Sequence, residues 1–126
     1  MADREISLPL DSEKLRVCID KIFGAMGFAA KAGKFVCGRE LCIEQMKKGK
    51  AVMAFFPNDI SDNAKRELSY AFDKSDIPYI AMPVTMSEMS DRLGKKSYVS
   101  CAVITERGFA DIIYKLLGSE TQKPML

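Results

Sequence analysis

Residues 28–68 read FAAKAGKFVCGRELCIEQMKKGKAVMAFFPNDISDNAKREL, and the changes of pattern inside them decide the fold class. A helical run of small and apolar residues closes at Gly33, the residue type that takes the left-handed turn of a helix end. Phe35-Val36-Cys37, bracketed by Gly33 and Gly38, has room only for a brief strand. Arg39 to Lys48 returns to helical spacing, with Leu41, Cys42, Gln45 and Met46 on one side and Gly49 as the stop. Lys47 and Lys48 fall in its last turn, where cations suit the negative end of the helix dipole. Ala51 to Phe56 is apolar on both faces, the pattern of a central strand covered by helices, and Pro57-Asn58 ends it. Ser61 then caps a third helix with Ala64, Leu68, Ala71 and Phe72 along one face and Lys65, Arg66 and Glu67 along the other.

The same alternation continues outward. Residues 1–10 are a mixed-charge lead, after which Asp11 or Ser12 caps a helix whose Leu15, Cys18, Ile19, Ile22, Phe23, Met26, Ala29 and Ala30 recur three and four apart. On the other side, Tyr79 to Met82 reads as a buried strand, and Thr85 to Glu88 has capping-box spacing for a short helix that stops at Gly94. Residues 95–100 form a loop, Cys101 to Ile104 a strand, and Phe109, Ile112, Ile113, Leu116 and Leu117 the stripe of a final helix before Gly118. Residues 119–126 show no periodicity and are expected to be mobile. Helices and strands that alternate in this way predict one α/β domain over residues 11–118, with a sheet sandwiched between helical layers.

Composition narrows the function. A chain of 126 residues, 48% hydrophobic and 29% charged, buries enough surface for a core without metal or disulfide staples. It contains no histidine, which removes serine-type triads, Cys-His nucleophiles and histidine metal sites together. Cys18, Cys37, Cys42 and Cys101 include no pair spaced for zinc, and each lies in or beside an apolar segment, where a reduced thiol packs as a small hydrophobe. No phosphate-loop or dinucleotide fingerprint occurs, and Asp59 and Asp62 read as helix-start residues, not a catalytic pair. The expectation is a protein with no catalytic residues, metal or cofactor. The longest apolar run, Ala51 to Phe56, is far short of the roughly 18 to 20 residues a membrane span needs, and the N-terminal residues hold no signal-peptide core. The reading is a cytoplasmic protein without a membrane partner.

The net charge of +2 conceals segregation. Residues 31–50 hold Lys31, Lys34, Arg39, Lys47, Lys48 and Lys50 against Glu40 and Glu44; residues 51–91 are net acidic; residues 92–126 are net basic, with Arg92, Lys95 and Lys96 close together. Positive charge gathered around the second helix and the loop before the last strand hints at an anionic ligand.

Several of these pieces occur together in one known pattern: Ala32-Gly33-Lys34, Gly38-Arg39-Glu40, Lys47-Lys48-Gly49-Lys50-Ala51, Asp59 through Leu68 with Ser61, Asn63 and Lys65, and Ala102 to Phe109. The chain thereby resembles the kink-turn RNA-binding ribosomal-protein family of the L-seven-Ae and L-thirty-e type, and within it the small bacterial YlxQ-like homologues. The resemblance runs from about residue 15 to residue 117. It implies a three-layer α-β-α sandwich around a mixed four- or five-stranded sheet. It also implies a non-catalytic, ribosome-associated protein that recognises structured, kink-turn-like RNA, such as ribosomal RNA. Carried onto this chain, the RNA-binding residues are Lys34, Gly38, Arg39, Glu40, Lys47, Lys48, Lys95, Lys96 and Val99. Where family members that bind RNA present a polar reader and then a cation, this chain has Leu41 and Glu44. The alternative is therefore a protein-interaction module on the same fold, with a ribosomal or other protein partner. Periodicity leaves Leu41 open between a core position and an exposed one, and leaves Tyr98 and Val99 open between contact with an extruded base and packing against the last strand.

Overall fold

The computed structural model describes residues 5–120. Its elements follow in the order α1 (Ser12–Lys31), β1 (Phe35–Cys37), α2 (Arg39–Lys47), β2 (Met53–Phe56), α3 (Asp62–Ser75), β3 (Tyr79–Ala81), α4 (Met86–Leu93), β4 (Ala102–Ile104) and α5 (Arg107–Glu120). The predicted caps sit where the sequence puts them. Asp11 accepts from the N–H groups of Glu13 and Lys14, Ser61 from Ala64, and Thr85 from Glu88. Gly94 closes α4 at φ 68°. Several boundaries differ from expectation: Ala51 and Val52 precede β2, Met82 follows β3, Cys101 precedes β4, Lys48 lies one residue past α2, and Gly118 is helical, so α5 runs on to Glu120 through the first residues of the expected tail. Residues 1–4 of the lead and 121–126 of the tail lie outside the described residues.

The sheet has four strands in the order β1-β4-β2-β3. β4 runs antiparallel to both neighbours, with Phe35 opposite Ile104 on one side and Met53 opposite Ile104 on the other, while β2 and β3 are parallel. The sheet is therefore mixed and four-stranded. The lead adds one bridge from Glu5 to Tyr79, with the Ile6 N–H donating to the Tyr79 carbonyl at 2.9 Å. Ile6 and Leu8 pack against the core on that side.

Short strands buried on both faces need helices above and below. One face packs Ile22, Met26, Met53, Phe55, Ile80, Met89 and Ile113 between the sheet and α1, α4 and α5. The other packs Cys42, Met46, Ala54, Leu68, Phe72 and Val103 beneath α2 and α3. On that second face the rings of Phe56, Phe72 and Tyr79 lie within 4.7–5.9 Å of one another. This three-layer arrangement fixes the polarity of the helices. α2 starts and β2, β3 and β1 end at one pole of the molecule, and α3 and α4 start there after their loops.

Candidate nucleic-acid interface

The site begins with the turn between β1 and α2. Gly38 sits at φ 106°, ψ 135°, a conformation that L side chains rarely adopt. Its N–H donates to the Cys101 carbonyl at 3.0 Å and its carbonyl accepts from Cys42 at 2.9 Å, so the turn is tied both to β4 and to the helix it starts. α1, α3 and α4 each have a side-chain cap, but no side chain caps α2. The first-turn N–H groups of α2 are thus open to a ligand's acceptor oxygens, at the positive end of the helix dipole.

Beside this turn lies a groove of about 520 Å³, lined by Gly38, Arg39, Glu40, Leu41, Ile60, Ser61, Ala64, Met86, Tyr98 and Ser100. It draws on the starts of α2, α3 and α4 and on the loop between α4 and β4, so three helix N-termini face one concavity. The far wall is shaped by Ser90, the one buried polar side chain among the described residues. The Ser90 hydroxyl donates to the Ser97 carbonyl at 2.7 Å and accepts from the Val99 N–H at 3.2 Å. This clamp turns Val99 into the core, 3% exposed, and leaves Tyr98 71% exposed on the groove. Leu41 stands opposite at 55% exposure, which settles its position as a groove residue.

Under the turn, three thiols fill the space between β1, α2 and β4. Cys42 and Cys101 are fully buried. Cys42 is held protonated by its contact with the Cys101 thiol and by burial, and it donates to the Val36 carbonyl at 3.4 Å. Burial pushes the Cys37 thiol up to about 11, with the nearby Lys95 ammonium offsetting part of that rise and Cys42 adding to it. Such thiols are poor nucleophiles and serve as packing. No group of three or more metal-ligating side chains converges among the described residues.

Residues 20–114 match the model of the Ribosomal protein L7Ae/L30e/S12e/Gadd45 family. The chain belongs to this family. It is 30% identical to the RNA-binding protein YlxQ of Enterococcus faecium over 90 residues, 71% of this chain and 84% of that protein. It is 27% identical to RNA-binding protein YlxQ of Bacillus subtilis (strain 168) over 95 residues, 75% and 93% of the two chains. The fold is shared with the 15.5 kD RNA binding protein of Giardia lamblia, at a TM-score of 0.68 and 14% identity, covering 92% of this chain and 93% of that one. A protein of unknown function from Bacillus halodurans C superposes at a TM-score of 0.67 with 17% identity, covering 78% and 97%.

Against this L7Ae-type frame, the residues expected to bind RNA divide into two sets. Gly38, Arg39 and Glu40 line the groove, and Lys95 and Lys96 lie exposed in the loop of its far wall, Lys95 close enough to Cys37 to act on its thiol. Arg39 is not free, since its Nε lies 3.4 Å from Glu67 of α3. The other four do not line this groove. Lys34 precedes β1 and its carbonyl accepts from Thr105, at the far end of the sheet, about 13 Å along the strand from Gly38. Lys47 and Lys48 end α2, which carries them a similar distance of about 13 Å from its start. Lys48 is also paired with Glu44 at 3.1 Å. Val99 offers no side chain to a ligand because the Ser90 clamp faces it inward. Arg92, part of the basic cluster near the last strand, is held by Asp20 at 2.9 Å and lies over the Phe23 ring.

Sequence reasoning missed Ile60, Ser61 and Met86 as groove residues. Ser61 and Met86 start their helices, and the parallel β2 and β3 are what bring both to the pole where α2 begins. Strand order, which local pattern does not encode, is what places them.

Proposed function

We propose that this chain is a non-catalytic, cytoplasmic RNA-binding protein that holds structured, kink-turn-like RNA in the groove at the start of α2, in association with the ribosome. The observation that carries the reading is the uncapped first turn of α2, opening into a groove walled by Tyr98 and by the loop of Lys95 and Lys96. Backbone N–H groups at a helix N-terminus suit phosphate oxygens, Lys95 and Lys96 supply the long-range attraction, and Tyr98 offers a ring face to an unstacked base. The names of the curated relatives support RNA as the ligand. No helix among the described residues is long and apolar enough to cross a membrane.

The test is a titration of kink-turn RNA, and of a duplex of equal length, across a fourfold range of salt. With three phosphate contacts the association constant falls roughly 40-fold over that range. Lys95→Glu with Lys96→Glu then removes most of the affinity. Binding that ignores salt and does not distinguish the kink-turn from the duplex refutes the proposal. The exposed Leu41 favours a second reading, an apolar protein contact on the same groove. Leu41→Ala decides between them, since it weakens a protein contact and leaves the phosphate-dominated RNA affinity nearly unchanged.

A further inference from the structure

A second concavity lies between the C-terminal halves of α2 and α3, about 410 Å³ in volume, lined by Ile43, Met46, Lys47, Glu67, Tyr70, Ala71, Lys74 and Ser75. We infer that it docks a protein segment, an acidic amphipathic peptide that seats apolar side chains between the two helices and places carboxylates on Lys47 and Lys74. Three observations carry this. The floor is apolar, lined by Ile43, the buried Met46 and the largely exposed Tyr70, and Met and Tyr are residues enriched where proteins meet. The rim is cationic. Neither Lys47 nor Lys74 forms an ion pair among the described residues, and Lys74 instead lies 5.8 Å over the Tyr70 ring. Lys50 extends the same sign beyond the end of α2, while Lys48 is paired with Glu44 and the acidic Glu67 with Arg39.

The helix polarity selects peptide over nucleic acid. α2 and α3 both end here, and helix C-termini repel phosphates, which carry a full charge at every nucleotide. A peptide with an apolar face meets the floor by burial and needs only a few carboxylates for the rim. Parallel helices with a groove between them offer the geometry into which an amphipathic helix lays its apolar face.

The test uses the full isotope-labelled chain and a synthetic peptide of about 16 residues, with Leu and Phe on one helical face and Glu elsewhere. A control peptide carries Lys in place of Glu, and polyuridylate serves as the nucleic-acid control. The Glu peptide is expected to shift the amides of residues 43–47 and 70–75 saturably, and to leave those of residues 38–41 in place. Lys47→Glu with Lys74→Glu, both exposed changes that leave the fold intact by circular dichroism, weakens this binding about tenfold or more. Equal binding of the Lys peptide, or no shift at peptide concentrations near 1 mM, where even weak transient contacts register, overturns the inference. Shifts of residues 43–47 and 70–75 by polyuridylate that depend on Lys47 and Lys74 overturn it in favour of RNA. None of these outcomes depends on what the groove at Gly38 binds.

Discussion

Removing the Ser90 hydroxyl tests how the groove's far wall is built. In Ser90→Ala the Val99 N–H, buried with its side chain in the core, loses its acceptor, while the Ser97 carbonyl lies nearer solvent and can turn to water. A buried donor left unpaired costs about 1–3 kcal/mol, and the lost bond to Ser97 adds little, so the whole change is about 2 kcal/mol. For a chain of this size that lowers Tm by about 8 °C. Hydrogen exchange separates a local from a global effect. If the clamp shapes the loop, the Val99 amide exchanges roughly 30-fold faster, as about 2 kcal/mol dictates. The Lys95 amide, which donates to the Ser90 backbone carbonyl at 2.9 Å and keeps that bond in the variant, changes less. RNA affinity falls in parallel as Tyr98 loses its fixed place. An unchanged Tm together with unchanged exchange at Val99 would refute the clamp as the cause of the Tyr98 and Val99 orientations.

Other outcomes follow from single residues. Gly38→Ala meets no atom within 4 Å of the added methyl, so its cost is backbone strain alone, about 1–3 kcal/mol in urea denaturation. Gly24→Ala and Gly27→Ala, helical and equally unobstructed, should each stabilise by about 0.5–1 kcal/mol in the same assay. Because the Cys37 thiol is raised from 9.0 to about 11, its contribution to stability is complete below pH 9 and is lost as pH rises toward 11. Melting curves of the wild type and Cys37→Ala should therefore converge over that interval, and iodoacetamide should label Cys37 at pH 8 about a hundredfold more slowly than an unfolded cysteine. Restoring a polar reader and a cation with Leu41→Asn and Glu44→Lys, both exposed, should raise kink-turn affinity about tenfold in a gel-shift titration.

Much of the fold is written in short-range chemistry. Asp11, Ser61 and Thr85 cap helices within three residues of themselves, and Gly94 ends one by taking a left-handed φ, so each can be read without knowing what lies across the molecule. Gly118 carries the same letter without the same conformation, and α5 passes through it. The site was less legible because it depends on distances that sequence order hides. Lys34, Arg39 and Lys47 are neighbours in a basic segment, yet β1 and α2 carry the outer two to the pole opposite the groove. Whether Tyr98 or Val99 faces outward is set by a hydroxyl nine residues away in α4, beyond the reach of any alternation in the loop. Leu41 belongs to an apolar stripe by spacing, but Cys42 and Met46, with the partly buried Ile43, form the core side of α2.

The Arg39–Glu67 pair joins two concavities that otherwise share no residue, since Arg39 borders the groove and Glu67 borders the hollow between α2 and α3. A phosphate that draws Arg39 away leaves Glu67 uncompensated, which disfavours an acidic peptide in the hollow, and a peptide seated there in turn holds Arg39 to Glu67. Linkage makes the effect equal in both directions. Its ceiling is the strength of one exposed ion pair, about 0.2–1 kcal/mol, so occupancy of either side changes affinity at the other by at most about fivefold. The chain is thus wired for a graded adjustment between its two faces and not for an on-off switch.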